Sequence, residues 1–138
     1  MSIEESKQLL RRFYEEWFPT GDVEAALPHV DGAFVNHASP PGSPQGHDNL
    51  RAIATMLAAA FDEQRYDVHR VLGDDGHVVV HCTWHATHTG EFMGIPATGR
   101  RIAVDQAHVF RITNDKIAEH WAVRDDLTML RQMGIAPG

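Results

Sequence analysis

The N-terminal residues have the apolar spacing of an amphipathic helix. Ser2 and Glu5 have the spacing of a capping box, in which each residue bonds the backbone of the other. Apolar residues then recur through Trp17 at intervals that place them on one face. Pro19 and Gly21 follow and do not continue a helix. The pattern therefore predicts a first helix with one buried face.

Three shorter elements are expected next along the chain. Asp22 is placed to cap a second helix over Val23–Leu27, and a brief strand is expected over Ala33–His37. After a loop rich in proline and glycine, Asp48 is placed to cap a third helix from about Asn49 to Phe61. The predicted helices thus lie mainly in the first half of the chain.

The second half of the chain has the pattern of two β-hairpins. The predicted strands are Arg65–Leu72, Val78–Thr89, Ile102–Thr113 and Lys116–Val123. Turn-forming residues at 73–76 and at 114–115 separate the strands within each hairpin. A final helix is expected over about Asp126–Met133, and Gly134 suits its C-terminal end.

Alternation along two of these strands predicts which side chains face the core. The more apolar face of the Val78–Thr89 strand carries Val78, Val80, Cys82, Trp84, Ala86 and His88. The corresponding face of the Ile102–Thr113 strand carries Ile102, Val104, Gln106, His108, Phe110 and Ile112. The sequence therefore predicts an α+β fold in one domain, residues 1–138, with an antiparallel sheet. Helices across a strongly curved sheet would leave a conical cavity, the default small-molecule site.

Composition narrows the class of partner. The chain has 138 residues, 43% hydrophobic and 22% charged, which is ordinary globular composition. Its formal net charge of −7 argues against nucleic acid or an anionic membrane as the main partner. The N-terminal segment is acidic and lacks the apolar core of a secretory signal, and no apolar run is long enough to span a membrane. We therefore expect a cytoplasmic protein.

The ten histidines raise the question of a metal site. His81 and His85 would lie roughly 13 Å apart on a strand, at about 3.3 Å per residue, and His88 points to the opposite face from His85. No two of these three neighbours can share one zinc ion. No metal or cofactor is therefore expected, although a pair distant in sequence, such as His37 with His120, stays open.

His108 is the histidine with the most distinctive position. It follows Gln106 on a strand face that is otherwise apolar. Two polar side chains on the core side must be hydrogen-bonded to each other or must line a cavity. His108 is thus either a satisfied core histidine or an acid, base or hydrogen-bond donor in a cavity.

Residues 119–126 concentrate polar groups where the last strand meets the last helix. Asp125 is placed either to cap that helix or to face the cavity, where burial would raise the pKa of its carboxyl. Nucleophilic catalysis has little support, because Cys82 lies among core residues. Aromatic residues could wall a pocket for a flat ring or simply pack the core. The candidate ligand-contacting residues are Phe61, Trp84, His88, Met93, Gln106, Phe110, His120 and Trp121.

Four spaced motifs resemble one protein family. They are FVNHASPPG at 34–42, GIPATGRR at 94–101, HVFRITNDKIAEHW at 108–121 and LRQMG at 130–134. The combination is similar to the SnoaL-like polyketide cyclases, also termed ester cyclases, of the nuclear transport factor 2-like superfamily. The resemblance implies a cone-shaped α+β barrel, a curved sheet wrapped around N-terminal helices. It also implies a deep apolar cavity, a hydrophobic small-molecule ligand, and a homodimer or higher homo-oligomer formed through the outer sheet face.

The resemblance also implies a chemistry. Members close a polyketide ring by intramolecular aldol condensation without metal or cofactor, with an aspartate as the base. His108 matches the family's cavity histidine, and Asn36 matches its cavity asparagine. The aspartate position is occupied here by Ala122, and Asp125 is the nearest replacement carboxylate.

Two functional hypotheses follow from the sequence. In the first, the protein is a cofactor-free enzyme that acts on a hydrophobic carbonyl compound by aldol cyclisation or a related isomerase or hydrolase step. His108 and Asp125 would then handle protons, and Asn36 would hold an oxyanion or carbonyl. In the second, the protein keeps the cavity but only binds a ligand, because Ala122 cannot carry a proton.

Overall fold

A computed structural model of the chain describes residues 1–135. The helices are α1 (Ile3–Arg12), α2 (Val23–Ala26), α3 (His47–Ala60) and α4 (Asp126–Gln132). The strands are β1 (Val30–Asn36), β2 (Phe61–Gly73), β3 (His77–His88), β4 (Arg101–Thr113) and β5 (Lys116–Arg124). Among these residues no helix is both long and apolar enough to cross a membrane.

The first helix begins as predicted and ends differently. The Ser2 hydroxyl accepts from the Glu5 N–H at 3.1 Å, and the Glu5 carboxylate accepts from the Ser2 N–H at 3.2 Å. After Arg12 the chain continues as a wider π-helical turn over Phe13–Trp17, in which the Phe18 N–H donates to the Phe13 carbonyl. Such turns are frequent at functional sites. This one buries Phe13, Tyr14 and Trp17 together against the sheet.

Helix α3 begins two residues earlier than predicted, and its N-cap is Gly46 rather than Asp48. Gly46 has a φ of 68°, and a Cβ there would lie 2.7 Å from the Gly32 carbonyl oxygen. Only glycine fits this close approach of the loop to β1. Phe61, predicted to end the helix, is instead the first residue of β2, because its backbone is already extended.

The five strands form one mixed sheet in the order β1-β5-β4-β3-β2. The neighbours from β2 to β5 are antiparallel, whereas β1 pairs with β5 in parallel. The register aligns Val80 with His108, His108 with Ala122, and Asn36 with His120. Positions far apart in sequence are thereby brought into two rows across the sheet, one with His108 and the other with His120.

The predicted core faces of β3 and β4 are correct. All six alternate residues of β3 from Val78 to His88 are buried, and so are those of β4 from Ile102 to Phe110. Ile112 is only partly buried. The buried face packs against α1, the π-helical turn and α3. Two of the buried side chains, Gln106 and His108, are polar and lie among apolar neighbours.

Candidate active site

A cavity of about 710 Å³ lies between the sheet and the helices. This volume is within the range of about 300–1,000 Å³ that is typical of small-molecule sites. Most of its wall is aromatic or aliphatic, and Phe34, Leu50, Trp84, Val104 and Phe110 are among the lining residues. The polar groups of the wall are concentrated on β4, β5 and β1.

A continuous hydrogen-bonded chain of side chains crosses this polar part of the wall. Gln106 Oε1 lies 2.7 Å from His108 Nε2, and His108 Nδ1 lies 2.9 Å from His120 Nε2. His120 Nδ1 lies 2.8 Å from Asn36 Oδ1, and Asn36 Nδ2 donates to Asn49 Oδ1 at 2.9 Å. We call these five residues the histidine network. None of them is more than 7% exposed, so the whole network is buried.

The sheet explains how these residues meet. Gln106 and His108 lie two positions apart on β4 and so share a face. His120 lies on β5 with its side chain on the same side, and the parallel pairing of β1 sets Asn36 directly beside it. Asn36 and His120 are 84 positions apart in the sequence. The network therefore depends on tertiary pairing and not on any local motif.

Burial makes both histidines weak bases. Desolvation, followed by the charges of His120 and Arg124, holds the pKa of His108 well below its usual value. Burial, with Arg124 and His37 adding to it, lowers the pKa of His120 to about 3. Both rings are therefore neutral at physiological pH, and a neutral imidazole has one nitrogen free to accept a proton.

Two tyrosines also line the cavity next to the histidine network. The Tyr14 ring centroid lies 4.7 Å from that of His108 and 4.8 Å from that of Tyr66. Burial raises the pKa of both phenols, so both keep their protons at neutral pH. Neither hydroxyl hydrogen-bonds to another residue of the described chain. Both phenols are therefore available as donors to a ligand oxygen.

The mouth of the cavity carries the exposed lining residues. Met93 is 75% exposed and Met56 is 41% exposed. Arg124 and Asp126 bring the two opposite charges of the lining, and Arg124 Nη2 donates to the Ala38 carbonyl at 3.2 Å. The interior is thus mainly uncharged, and its ionic groups lie at the entrance.

Several residues chosen from the sequence lie in the cavity wall. They are Asn36, Trp84, Met93, Gln106, His108, Phe110 and His120. His108 is both a cavity residue and a satisfied buried histidine, since both its nitrogens have partners. Asn36 is hydrogen-bonded to Asn49, His120 and the Ala38 N–H, which ties it into the network.

Asp125 is not in the cavity wall, and the prediction of a cavity carboxylate at this position needs correction. Its side chain accepts from the Thr128 N–H at 3.2 Å and from the Thr128 hydroxyl at 2.6 Å, so it caps α4. These hydrogen bonds lower the pKa of its exposed carboxyl, the opposite of the expected rise. The carboxylate that does line the cavity belongs to the next residue, Asp126.

Three other predicted ligand contacts lie outside the wall of the cavity. Phe61 is buried behind Trp84, with ring centroids 4.8 Å apart. His88 is fully buried and pairs its Nδ1 with the Thr98 hydroxyl at 2.9 Å. Trp121 faces the outer side of the sheet and stacks on His37 at 4.9 Å. Phe61 and His88 show that burial alone does not distinguish a cavity wall from the core, whereas Trp121 lies on the other side of the sheet from His120.

The outer side of the sheet accounts for most of the other histidines on strands. His81 Nδ1 accepts from Arg70 at 2.7 Å, His85 pairs with Asp67 at 2.8 Å, and His69 bonds Thr83 at 2.7 Å. Within residues 1–135 no three His, Cys, Asp or Glu side chains are grouped to hold a metal ion. We call His37, His69, His81 and His85 the outer-face histidines.

Tyr14, Tyr66, Arg124 and Asp126 are the titratable lining residues that sequence reasoning does not single out as ligand contacts. Tyr14 was assigned only to the buried stripe of the first helix, and nothing local to Tyr66 marks a hydroxyl that faces a cavity. Arg124 could have been found from strand alternation, because it lies two and four positions after Ala122 and His120. Its position continues the face that carries His120.

The curved sheet, the helices packed across it and the mainly apolar cavity define a nuclear transport factor 2-like α+β fold. The family model for SnoaL-like polyketide cyclases matches residues 8–133. The chain therefore belongs to the SnoaL-like polyketide cyclase family.

Named relatives agree with this placement. Aklanonic acid methyl ester cyclase DnrD of Streptomyces peucetius is 30% identical over 129 residues, which cover 91% of this chain and 88% of the relative. Nogalonic acid methyl ester cyclase of Streptomyces nogalater is 27% identical over 119 residues, covering 85% and 89%. The solved structure of TsrD from Streptomyces laurentii superimposes with a TM-score of 0.89, covers 99% of both chains and is 24% identical, which supports the fold alone.

Proposed function

We propose that the protein is a cofactor-free enzyme that closes a ring in a hydrophobic carbonyl compound by an intramolecular aldol reaction. The observation that carries this proposal is the neutral, buried His108–His120 pair in the wall of a mainly apolar cavity. A neutral imidazole can accept a proton from a carbon acid and return it to an oxygen, so no metal is needed for the proton transfers.

The proposed reaction needs no group beyond the substrate, His108 and the two tyrosines. His108 removes a proton from the carbon next to a carbonyl group, which leaves an enolate. The enolate carbon forms a bond to a second carbonyl carbon of the same molecule, and the electron pair of that C=O bond moves to oxygen. The imidazolium returns the proton to this oxygen, so the product is an isomer of the substrate. Tyr14 and Tyr66 are placed to donate hydrogen bonds to the developing oxyanions.

The roles assigned from sequence change accordingly. The group that supports His108 is His120 rather than Asp125, because His120 is hydrogen-bonded to His108 whereas Asp125 is bound to Thr128. Asn36 supports His120, and the oxyanion role assigned to it passes to the two tyrosines. The apolar wall and the relatives, which are named for methyl esters of aklanonic and nogalonic acid, favour a flat, largely uncharged polyketide ester as substrate.

Turnover of aklanonic acid methyl ester and nogalonic acid methyl ester tests the proposal. Liquid chromatography with mass detection should show a product of unchanged mass and new retention time, and activity should survive dialysis against a chelator. His108→Ala should reduce turnover about 10²–10⁴-fold, the usual scale of acid–base catalysis. His85→Ala, on the outer side of the same sheet, is the matched control and should retain full turnover. A His108→Ala protein as active as the wild type would refute the proposal.

A second candidate function is ligand binding without chemistry. It is favoured by one specific observation: Ala122 is the direct cross-strand partner of His108, so no carboxylate stands at that position. If this reading is right, the wild type binds the esters unchanged, and Ala122→Asp gains turnover because it places a carboxylate beside His108. If His108 and His120 already act as the base, the wild type turns over without that substitution.

We also propose a homodimer formed through the outer sheet face. Val123 is 75% exposed there, and Val79, Val109 and Trp121 are only half-buried in the single chain. Sedimentation velocity should give twice the monomer mass, and Val123→Glu should shift the protein to the monomer. A monomeric wild type at micromolar concentration would contradict this assembly.

A further inference from the structure

The direction of the hydrogen bonds in the histidine network is fixed from one end. The Ala38 N–H donates to Asn36 Oδ1 at 2.9 Å, and a backbone N–H can only donate. At the far side, Asn49 Nδ2 donates to the Pro44 carbonyl at 2.9 Å, and a carbonyl can only accept. These two backbone groups leave one arrangement of the Asn36 amide, with its oxygen towards His120 and its nitrogen towards Asn49.

This arrangement determines the proton positions on both rings. Since Asn36 Oδ1 accepts, His120 must carry its proton on Nδ1. A neutral His120 then has a bare Nε2, which must accept a hydrogen bond from the N–H of His108 Nδ1 across the 2.9 Å contact. A neutral His108 is then left with a bare Nε2. Both rings are therefore neutral with the proton on Nδ1.

Gln106 is the adjustable end of the network. Its Oε1 lies 2.7 Å from His108 Nε2, and no other side chain of residues 1–135 holds the amide in place, so the neutral pair with a bare Nε2 requires this amide to be turned with its NH₂ group towards His108. With its NH₂ group towards His108, the amide donates to the bare Nε2 of the neutral pair. With its oxygen towards His108, it accepts from an Nε2 that has gained a proton. One rotation of the amide thus satisfies the network before and after the pair takes up a proton.

We propose that the Ala38 N–H, acting through Asn36 and His120, keeps His108 Nε2 as the bare, proton-accepting nitrogen of the cavity, with Gln106 turning as that nitrogen gains or loses a proton. Asn36 and His120 are then positioning residues for His108. The use of this nitrogen in catalysis rests on the proposed function. The tautomers themselves do not, since they are set in the protein without a substrate.

Burial supports the neutral state on which this order depends. Desolvation lowers the pKa values of both rings, so at neutral pH the pair holds two protons and not three. The charged and titratable groups nearest the pair are Arg124 on β5, Tyr14 on the π-helical turn and Tyr66 on β2. Arg124 disfavours a third proton, and the two phenols are uncharged.

Nitrogen NMR of protein labelled with ¹⁵N-histidine tests the proposal directly. Two-bond and three-bond ¹H–¹⁵N correlations show which ring nitrogen is protonated, and single His→Gln variants assign the signals. We expect His108 and His120 both to carry the proton on Nδ1 at pH 7, the minority form of free histidine. The outer-face histidines serve as internal references in the same spectrum. A proton on Nε2 of either ring in the neutral wild type would overturn the proposal.

Two matched variants, each of which removes one side-chain amide, test the direction of the hydrogen bonds in the histidine network. Asn36→Leu removes the anchor, so the reverse order becomes satisfiable: His120 Nε2 donates to His108, and His108 Nε2 donates to Gln106. We expect both tautomers to change in Asn36→Leu and neither to change in Gln106→Met. The opposite pattern would refute the direction. If Asn36→Leu does not fold, the tautomers of His108 and His120 in the wild type and in Gln106→Met still test the proposal.

Turnover separates this inference from the proposed function. In Asn36→Leu, His108 is present but its Nε2 is occupied, so kcat should fall towards that of His108→Ala. Inactivity of the wild type on every ester, combined with the expected tautomers, would reject the function and keep the network order. His108-dependent turnover with the proton on Nε2 would keep the function and reject the order.

Discussion

Histidines on the two sides of one sheet have very different surroundings. His108 and His120 face the cavity and are less than 9% exposed, with each other and two amides as partners. The outer-face histidines are partly or largely exposed, and their partners include a carboxylate for His37 and one for His85. His37 and His120 are separated by a single strand pair, yet His37 is exposed, whereas His120 is buried and its pKa is lowered to about 3.

The difference shows that access of solvent to a side chain, more than its residue type, determines how it handles protons. On the outer side, hydrogen bonds from His37 and Arg111 lower the pKa of Glu119, as expected for an exposed ionic cluster. Exposed pairs of this kind contribute little to stability. On the inner side no carboxylate of residues 1–135 hydrogen-bonds to these imidazoles, and burial keeps them neutral. A neutral imidazole that is held in one orientation can accept a proton from a bound ligand. A solvent-exposed imidazole can exchange protons with any acid in solution.

The largest expected contrast between the two sides concerns packing. Phe110 and Val109 are adjacent on β4, but Phe110 is 3% exposed and packs against Phe13, Tyr14 and His120. Phe110→Ala should lower the free energy of unfolding by about 3 kcal/mol, near the low end for such changes because one side already borders the cavity. Val109→Ala should cost less than about 1 kcal/mol. Urea unfolding at pH 7 measures both, and equal losses would contradict the assignment of the faces.

The next contrast is the pH dependence of stability. The pKa values of His108 and His120 in the folded protein lie below the ordinary value of 6.5, that of His120 at about 3. At a pH between the lowered pKa of each folded histidine and 6.5, the unfolded chain binds more protons than the folded protein. Stability is therefore complete above pH 6.5 and falls as the pH drops below it, by up to about 1.4 kcal/mol per pH unit for each buried histidine.

Unfolding measurements between pH 7 and pH 5 test this sign. The double variant His108→Gln/His120→Gln should flatten the dependence, because it removes both groups that resist protonation in the folded state. The double variant His69→Gln/His85→Gln, on the outer side of the sheet, is the matched control and should keep the part of the slope that comes from the inner pair, because it leaves His108 and His120 in place. A wild type that gains stability over this range as the pH falls would show that the inner pair is charged when folded.

The sequence predicts many of the differences between the two sides of the sheet. Strand alternation correctly separated the inner from the outer residues of β3 and β4, and it placed His108 and Gln106 on the core side. The family resemblance placed Asn36 in the cavity. Each of these inferences depends on spacing within one strand or on one local motif, which is information that a sequence carries directly.

Other features depend on pairing between distant segments. The parallel β1–β5 pair brings Asn36 to His120, and no local pattern indicates that contact. Likewise, an aspartate before a helix can cap the helix or face the cavity. Asp125 caps the helix, because its carboxylate accepts a hydrogen bond from the Thr128 hydroxyl. Phe61 and Trp84 are both buried on the inner side, but only Trp84 borders the empty volume.

Asp125 gives a smaller effect that distinguishes capping from catalysis. Asp125→Ala should cost about 1 kcal/mol of stability, the usual value of an N-cap. Asp125→Asn should cost less, because its oxygen can still accept from the Thr128 N–H. Turnover of both variants should equal that of the wild type at a temperature where all are folded. A hundredfold loss in both would return Asp125 to the site and contradict the helix-cap assignment.

The smallest expected effect comes from the charge at the cavity mouth. Arg124 adds to the lowering of the pKa values of His108 and His120, but it is exposed and its field is screened by solvent. Arg124→Gln should therefore move the acid limb of the pH profile of kcat/KM to higher pH, by less than about one unit. Arg65→Gln, which removes an equal charge paired with Asp67 on the outer side, should leave the limb in place. An acid limb that moves to lower pH in Arg124→Gln would contradict this assignment, because removing a nearby cation raises the pKa of an imidazole.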